Sequence, residues 1–333
     1  MADGFGAPKT KGLRGRDESR PLYLVTGGCG FLGSHLTAAL VGRGAAVRVL
    51  DDLSNAAPGP APRGIEFLHG DIADPMVVRH AMQGVGGCFH LAGLASVPQC
   101  QRQWLTAHRT NLTGTVNVLD AAHRERPGNP VPIVYSSSAA VYGNHEDHLL
   151  SERLPPRPIS SYGADNVGAE LHARIARAVH SIPAVGLRLF NVYGPRQSPR
   201  APYASVIAIF CERLKTGRPV TIFGDGHQTR DFVYVDDAVT ALLAAMEHLP
   251  LVPETLNIAT GRGITILDLV GRIADICGVE PQISFGPARQ GDIRYLAGDA
   301  SRARDYLGFE PGTDLETGIA ETLRFLSSAV PAR

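Results

Sequence analysis

The sequence predicts an α/β protein with a doubly wound parallel sheet and a smaller C-terminal domain. Short apolar segments of strand length alternate with segments of helical periodicity over the first 190 residues. A glycine-rich turn at residues 27–33 joins the first strand directly to the first helix. Beyond Asn191, glycine and proline become frequent and the regular alternation ends. Alternation of this kind places parallel strands in one sheet, with helices on both faces.

The elements follow in order along the chain. Two late segments, 232–235 and 256–259, read as strands that we expect to rejoin the main sheet. The segment 265–278 reads as an amphipathic helix, since Ile266, Leu269 and Ile273 recur at helical spacing. The other predicted strands are 22–26, 46–50, 65–69, 87–92, 132–136 and 184–190, and the other helices are 31–41, 75–83, 104–124 and 162–181.

Composition narrows the function classes. The chain has 333 residues, 44% of them hydrophobic, which is enough for a large core. Its formal net charge of zero gives no general electrostatic case for binding nucleic acid or an anionic membrane. The five cysteines contain no Cys-x-x-Cys pair, which favours a reducing, cytoplasmic compartment. No apolar run reaches membrane-spanning length, and we predict no metal site.

The glycine-rich turn predicts a dinucleotide site. Gly27, Gly30 and Gly33 let the backbone approach a pyrophosphate, and the helix N-terminus supplies amide donors. Asp51 ends the next strand, about 20 residues further on. A carboxylate there binds both ribose hydroxyls and repels a 2′-phosphate, so the pattern favours NAD over NADP. A structural turn with a surface aspartate is the alternative.

This turn makes the predicted fold Rossmann-type, and it divides the chain. Residues 21–191 are expected to form the NAD-binding domain, with 230–260 rejoining it, and 192–229 and 261–330 a substrate-binding domain. Residues 1–20 lack the apolar core of a signal peptide and are rich in Gly, Lys, Arg and Asp. We therefore expect them to be a disordered tail.

Several segments together resemble the extended short-chain dehydrogenase/reductase family, most closely its UDP-hexose 4-epimerases. The resemblance covers roughly residues 21–325. The segments that carry it are TGGCGFLG at 26–33, HLAG at 90–93, NLTGT at 111–115, SSSAAVYG at 136–143, RLFNVYG at 188–194, RDF at 230–232 and RQGDIR at 289–294.

The resemblance implies roles on the cofactor side. Asp71 and Ile72 would flank the adenine, and Asn111 would brace the sheet near the nicotinamide. The implied cofactor-binding residues are Gly27, Gly30, Phe31, Leu32, Gly33, Asp51, Asp52, Asn55, Asp71, Ile72, Leu91, Ala92, Gly93, Asn111, Ser136, Tyr162, Asn166 and Leu189.

It also implies a site for a UDP-sugar. Arg230 and Arg289 would hold the diphosphate together with Asn191, because a guanidinium gives paired charge-assisted hydrogen bonds. Asp292 would bind the uridine ribose, and Phe223 or Phe210 would pack near the uracil. The implied substrate-binding residues are Ser96, Ser138, Asn191, Ser205, Val206, Phe210, Thr221, Phe223, Arg230, Arg289, Asp292 and Leu296.

The implied reaction inverts one carbon of the sugar by oxidation and reduction. Tyr162 would take the proton of the sugar 4-hydroxyl while a hydride passes to NAD, and Ser138 would hydrogen-bond the same oxygen. Sugar 4,6-dehydratases carry an Asp-Glu pair after the serine or threonine, and UDP-glucuronate decarboxylases carry a glutamate there. Ala139 and Ala140 stand at these positions, which disfavours both activities.

Asn166 departs from the family pattern, which has lysine four residues after the tyrosine. An ammonium about 6 Å from the phenol stabilises the phenolate by about 2.8 kcal/mol at an effective dielectric of about 20. Asparagine lacks that charge but can still donate a hydrogen bond to the nicotinamide ribose. Three interpretations stay open: a slow epimerase, an inactivated variant of an ordinary epimerase, or a protein that binds NAD and a nucleotide sugar without turnover.

The sugar and the assembly are predicted from the resemblance as well. Leu296 stands where a residue gates the C2 substituent, and the run 196–199 with Tyr203 resembles enzymes that accept N-acetylated sugars. UDP-GlcNAc/UDP-GalNAc is favoured over UDP-glucose/UDP-galactose, and a UDP-glucuronate epimerase is a further alternative. A homodimer is expected through a four-helix bundle of helices 104–124 and 162–181, whose face would include Ile175, Ala176 and Val179.

Overall fold

The computed structural model describes residues 21–57, 64–145, 149–199, 204–289 and 292–328, so the predicted tail at 1–20 lies outside it. The strands are β1 (Leu22–Thr26), β2 (Ala46–Asp51), β3 (Glu66–His69), β4 (Gly87–His90), β5 (Ile133–Ser138), β6 (Ala184–Leu189), β7 (Asn191–Tyr193), β8 (Val220–Phe223), β9 (Thr229–Tyr234), β10 (Thr255–Ile258), β11 (Gly263–Thr265) and β12 (Ile283–Gly286).

The described helices cover both faces of the sheet and the C-terminal part. They are α1 (Phe31–Gly42), α2 (Pro75–Met82), α3 (Val97–Arg102), α4 (Trp104–His108), α5 (Gly114–Glu125), α6 (Ser161–His180), α7 (Val206–Lys215), α8 (Val235–His248), α9 (Ile266–Cys277), α10 (Ser301–Leu307) and α11 (Leu315–Ser328). No helix among them is both long enough and apolar enough to span a bilayer.

The main sheet confirms the predicted fold class. Its seven strands run in the order β10-β6-β5-β4-β1-β2-β3, and every neighbouring pair is parallel. The chain order reverses between β1 and β4, where Thr26 pairs with His90. In a doubly wound sheet the crevice at such a switch point, beyond the carboxyl ends of the strands, is where ligands bind.

Both faces of this sheet are covered. In β1, Leu24 packs in the core beside α2 and α5, whereas Val25 packs in the core beside α1 and α8. Because strand side chains alternate between faces, each neighbouring residue is buried on the opposite side. This explains why β1 reads as continuously apolar.

Two late strands end up in different sheets. Strand β10 pairs with β6 at the edge of the main sheet, as expected. Strand β9 instead pairs with β7 and β11 in a separate three-stranded sheet, so the expectation that it joins the main sheet is wrong. A short run of buried residues has the same pattern in either sheet, and the choice of partner is a tertiary effect.

The predicted helix 104–124 is interrupted. A π-helical segment, Arg109–Thr113, separates α4 from α5 and carries Asn111. A π turn inserts an extra residue into a helix and often marks a functional site. The sequence analysis predicts one continuous helix here, and the break is a feature of the folded structure.

A second core lies in what we call the smaller lobe, formed by β7, β8, β9, β11, β12, α7, α9 and α11. Helix α9 buries Ile266, Leu269, Val270 and Ile273 there, as its periodicity predicts.

Candidate active site

The glycine turn is shaped for close backbone approach. Gly27 has a φ of +70°, and a Cβ on it would lie 2.7 Å from the Ala92 nitrogen. A Cβ on Gly33 would lie 2.0 Å from the Gly27 carbonyl oxygen. The N-cap of α1 is Gly30, which has no side chain to cap the helix, and the first turn has no acidic residue. The amide donors of this turn therefore suit an anionic ligand such as the NAD diphosphate.

Substituting Gly33 tests this turn. In Gly33→Ala the methyl group must displace the Gly27 carbonyl, so we expect protein purified without bound NAD and a lower melting temperature. The nucleotide released on denaturation, read by absorbance, and thermal unfolding measure the two effects. Gly42→Ala is the matched control at the other end of α1, because no atom lies within 4 Å of a Cβ there. NAD content equal to wild type in Gly33→Ala would contradict this role.

Asp51 is fixed beside the turn. It is buried, and its carboxylate accepts hydrogen bonds from the backbone nitrogens of Cys29 and Leu53, both at 2.8 Å. These two backbone donors hold the carboxylate in one orientation, and a carboxylate is an acceptor for ribose hydroxyls. Asp52 and Asn55 are exposed in the following turn.

The implied adenine residues differ in exposure. Asp71 is partly exposed, and its carboxylate accepts from the Ala73 nitrogen at 2.8 Å. Ile72 is buried beneath α5, where its side chain faces Gly114. The side chain of Ile72 thus belongs to the core, and its contact with adenine stays a prediction.

A pocket opens at the carboxyl ends of β4 and β5. It gathers predicted cofactor residues from four separate segments. Asn111 braces its wall, since Oδ1 accepts from the Leu94 nitrogen at 2.8 Å and Nδ2 donates to the Leu94 oxygen at 3.1 Å. The pocket residues that the sequence analysis named are Leu91, Ala92, Gly93, Asn111, Ser136, Tyr162 and Asn166, and those it missed are His90, Leu94, Ala95, Thr115 and Ala169.

His90 is the most informative of the missed residues. Its Nδ1 lies 2.7 Å from Thr26 Oγ1 and its Nε2 lies 3.0 Å from Thr115 Oγ1. Thr115 Oγ1 donates to the Asn111 carbonyl, so it accepts from Nε2–H, and Nδ1 is the acceptor for Thr26. Burial lowers the pKa of His90 to about 4. The HLAG segment contained this histidine, but nothing in the pattern revealed its bonds.

The neutral state of His90 predicts acid sensitivity. The unfolded histidine has a pKa near 6.5, whereas the folded one has a pKa of about 4. Between these pH values the unfolded chain binds a proton that the native protein does not, so the free energy of unfolding falls as the pH is lowered. The loss begins near pH 6.5 and amounts to about 3 kcal/mol by pH 4. Urea unfolding at several pH values should show it. In His90→Gln the pH dependence should be shallower, and an unchanged slope would contradict this account.

Two of the three predicted catalytic residues, Tyr162 and Asn166, line this pocket, and the third, Ser138, is hydrogen-bonded to Tyr162. Tyr162 lies in the first turn of α6, which Ser160 caps by accepting from the Gly163 nitrogen at 3.1 Å. Ser138 ends β5, and its Oγ accepts from the Ala140 nitrogen at 3.1 Å. Burial raises the pKa of Tyr162, and hydrogen bonds with Ser138 and Asn166 oppose this shift. The protein environment therefore favours the neutral phenol.

Asn166 does not compensate for the missing ammonium. It is buried, and its Nδ2 donates to the Tyr162 carbonyl one turn earlier, at 2.8 Å. The adjacent Asp165 is a buried carboxylate, paired with His108 at 2.8 Å. Arg188 is neutralised by Glu170 in a bidentate ion pair. None of these three groups supplies a net positive charge to the phenol.

The predicted substrate residues lie mainly on the smaller lobe. Arg230 of β9 forms an ion pair with Asp292 and donates to the Ile293 oxygen at 2.7 Å. The Arg289 guanidinium lies 4.1 Å from the centre of the exposed Phe223 ring. The two pairs lie in neighbouring segments, because the Asp292 nitrogen donates to the Arg289 oxygen at 3.2 Å. Their role in binding a nucleotide stays a prediction.

Other substrate-side residues are less accessible. Phe210 is 3% exposed in the core of the smaller lobe, so Phe223 is the one of the two predicted aromatic residues that a base can reach. Leu296 is 6% exposed and packs in the main core, and its gating role stays a prediction. The buried Oδ1 of Asn191 has no hydrogen-bond partner among the described residues, and its contact with a ligand stays a prediction.

The remaining predicted site residues lie at the ends of helices and strands or within β8. Ser96 accepts from the Gln99 nitrogen to cap α3, and Ser205 accepts from the Ala208 nitrogen to cap α7, which begins at Val206. Thr221 of β8 is hydrogen-bonded to Ser284 at 3.0 Å. Leu189 ends β6, Phe31 and Leu32 begin α1, and Tyr203 lies outside the described residues.

Comparison with known proteins identifies the family. The sequence profile of the NAD dependent epimerase/dehydratase family matches residues 23–259. The chain belongs to this family.

Relatives match this epimerase/dehydratase family member over nearly its whole length. A UDP-glucose 4-epimerase of Mycolicibacterium smegmatis is 35% identical over 91% of this chain and 97% of its own. The UDP-glucose 4-epimerase of Thermotoga maritima, solved with UDP-glucose, superposes with a TM-score of 0.87 at 35% identity, covering 92% of this chain and 99% of its own. A UDP-N-acetylglucosamine 4-epimerase of Methanobrevibacter ruminantium gives a TM-score of 0.87 at 31% identity, covering 93% and 99%.

The family establishes NAD as the cofactor of this epimerase/dehydratase homologue. The cradle formed by Gly27, Gly33 and the uncapped start of α1 fits its diphosphate, and the buried carboxylate of Asp51 fits its adenosine ribose. When bound, NAD supplies the hydride acceptor and donor of an oxidation–reduction cycle.

Proposed function

We propose that the protein is an NAD-dependent UDP-sugar 4-epimerase. The observation that carries this proposal is the hydrogen bond between Tyr162 and Ser138 beside the pocket that Tyr162 lines beyond β4 and β5. Cationic and aromatic side chains on the smaller lobe, Arg230, Arg289 and Phe223, support it. The activities of the relatives support it.

Tyr162 and Ser138 carry the proton transfer. Tyr162, as phenolate, accepts the proton of the sugar 4-hydroxyl, which becomes a carbonyl as the hydride leaves C4. Ser138 donates a hydrogen bond to that oxygen and opposes the burial effect on the pKa of Tyr162. Return of hydride to the opposite face of the keto sugar, with reprotonation by Tyr162, gives the C4 epimer.

The smaller lobe binds the nucleotide. Arg230 and Arg289 hold the diphosphate, and Phe223 packs against the uracil while Asp292 binds the uridine ribose. The Arg230–Asp292 ion pair and the stacking of Arg289 on Phe223 hold these side chains near one another before ligand arrives. Such preorganisation lowers the entropic cost of binding.

We propose UDP-GlcNAc/UDP-GalNAc as the preferred pair, with UDP-glucose/UDP-galactose as the alternative. The run 196–199 resembles enzymes that accept N-acetylated sugars, and a structural neighbour is a UDP-N-acetylglucosamine 4-epimerase.

Asn166 favours a second candidate function, a protein that binds NAD and a UDP-sugar without turnover. Burial disfavours the phenolate of Tyr162, and no described group beside it supplies the missing charge. The retained Arg230, Arg289 and Asn191 favour ligand binding under either candidate function.

One assay separates the two candidates. The purified protein is incubated with UDP-GlcNAc and, separately, with UDP-glucose, without added NAD, and the sugars are resolved by chromatography. Interconversion establishes the epimerase, and the faster sugar identifies the substrate. Bound NAD and measurable UDP affinity without any product, even after long incubation, would favour the binding protein and overturn the epimerase.

We also propose a homodimer. Trp104 and Leu105 on α4 and Leu171, Ile175 and Val179 on α6 are exposed apolar side chains, which favour a protein contact. Ala176, which was predicted to lie on this face, is instead buried in the core beside α2 and α5. Sedimentation of wild type and of Ile175→Glu tests the proposal, and a monomeric wild type would refute it.

A further inference from the structure

A chain of buried polar side chains runs through the protein beside the proposed reaction site. At one end, Ser137 Oγ donates to Glu170 Oε1 at 2.6 Å. Arg188 donates from Nε and Nη2 to the two carboxylate oxygens of Glu170, each at 2.8 Å. Ser137 precedes Ser138 in β5, and Glu170 lies one turn beyond Asn166 in α6. This end therefore joins the strand of the serine to the helix of the tyrosine.

The other end reaches a different part of the fold. Arg188 Nη1 donates to the Tyr142 hydroxyl at 2.9 Å, and that hydroxyl donates to Asn257 Oδ1 at 2.7 Å. Asn257 Nδ2 then donates to the carbonyl oxygens of Leu150 at 2.8 Å and Asp299 at 3.1 Å. Tyr142 and Asn257 are completely buried.

The carbonyls of Leu150 and Asp299 lie where the chain near Leu150 is hydrogen-bonded to the segment 297–299. The Asp299 nitrogen donates to the Leu150 oxygen, and the Leu150 nitrogen donates to the Ala297 oxygen, both at 2.8 Å. The segment 292–299 begins at Asp292, which pairs with Arg230. The network thus connects the elements that carry Tyr162 and Ser138, α6 and β5, to the segment that follows Asp292.

We expect this network to fix the relative positions of the elements it joins more than to raise the free energy of unfolding. Burying an ion pair costs desolvation that its attraction barely repays, and apolar residues could fill the same volume. A buried network with satisfied donors and acceptors instead favours one arrangement of the elements it joins. Hydride and proton transfer depend on such an arrangement, because an error of about 1 Å in position can cost up to about a hundredfold in rate.

We propose that Glu170, Arg188, Tyr142 and Asn257 form a positioning network that sets the placement of the sugar nucleotide relative to Tyr162 and Ser138. The inference rests on the proposed epimerase function and adds positioning residues to it. The Tyr142 hydroxyl is the bridge between the Arg188 end and the Asn257 end.

Tyr142→Phe removes this bridge with little change in packing, since the ring beneath the Arg188 guanidinium stays in place. The test is made in the Asn166→Lys protein, where turnover is expected to be highest. We expect kcat to fall about tenfold, with NAD content and the dissociation constant of UDP changed by less than twofold. A purely structural hydroxyl would lower the melting temperature and leave kcat unchanged.

Tyr193→Phe is the matched control. Tyr193 is equally buried, and its hydroxyl donates to the Leu315 oxygen at 3.3 Å, outside the network. We expect its kcat to stay within twofold of the Asn166→Lys parent. An equal fall of kcat in both variants, or none in Tyr142→Phe, would overturn the positioning role.

Hydrogen–deuterium exchange gives a second readout that needs no turnover. Tyr142→Phe should speed exchange at residues 149–152 and 297–299, and Tyr193→Phe should not. If the Asn166→Lys parent converts no UDP-sugar, the epimerase proposal fails. The exchange rates of residues 149–152 and 297–299 then test by themselves whether the network positions these segments. Unchanged exchange in Tyr142→Phe would then refute the network.

Discussion

Asn166→Lys should raise the turnover of UDP-sugar epimerisation about a hundredfold near neutral pH. In the wild-type protein, burial raises the pKa of Tyr162, and the hydrogen bonds from Ser138 and Asn166 only oppose that shift. An ammonium about 6 Å from the phenol stabilises the phenolate by about 2.8 kcal/mol, which corresponds to about a hundredfold in its population. The native amide of Asn166 donates to the Tyr162 backbone and carries no charge.

The same account predicts how the rate of each protein changes with pH. Because the reactive form of Tyr162 is the deprotonated one, the wild-type rate should keep rising into the alkaline range. The Asn166→Lys protein should reach its plateau at lower pH. Initial rates of interconversion between pH 6 and 10 measure both profiles.

The control is Asn166→Met, which has a side chain of similar length to lysine but no charge. It should not accelerate the reaction. Equal rates in wild type and Asn166→Lys, or an equal gain in Asn166→Met, would contradict the electrostatic account of Tyr162.

Tyr162→Phe, made in the Asn166→Lys protein, should lower kcat about a thousandfold or more. General acid–base catalysis contributes about 10²–10⁴-fold, and here the same group acts in both half-reactions. The ring stays packed at the start of α6, so the variant should fold and retain NAD. Interconversion rates and the NAD released on denaturation are the measurements.

Ser138→Ala is the informative comparison for Tyr162→Phe. Ser138 orders the proton transfer without taking the proton, and its Oγ also accepts from the Ala140 nitrogen. Its loss should cost activity, but less than the loss of Tyr162. Retention of more than a tenth of the parental rate in Tyr162→Phe would show that another group is the base.

Sequence alone predicted much of the sheet because its signals are local. Apolar runs of strand length, glycines after the first strand and the carboxylate at Asp51 are all visible in windows of a few residues. Among the motif residues, Tyr162 and Asn166 line one pocket and Ser138 is hydrogen-bonded to Tyr162, while their catalytic roles stay predictions.

Other features depend on partners far along the chain. Strand β9 has the same buried pattern as a main-sheet strand, yet it pairs with β7 and β11. The π-helical segment that carries Asn111 interrupts a stretch that the sequence predicts as one helix. Phe210 and Ala176 face cores rather than a ligand or a partner, because helix rotation is set by packing against neighbouring elements.

The sequence by itself determined the class of fold, the NAD cradle and the absence of lysine beside Tyr162, since each depends on residue type and short spacing. Only the tertiary structure showed that His90 is held neutral between Thr26 and Thr115, and that Arg188 connects Glu170 to Tyr142. Those bonds join residues 18 to 64 positions apart. Their energies arise from burial and from partners that only the folded chain brings together.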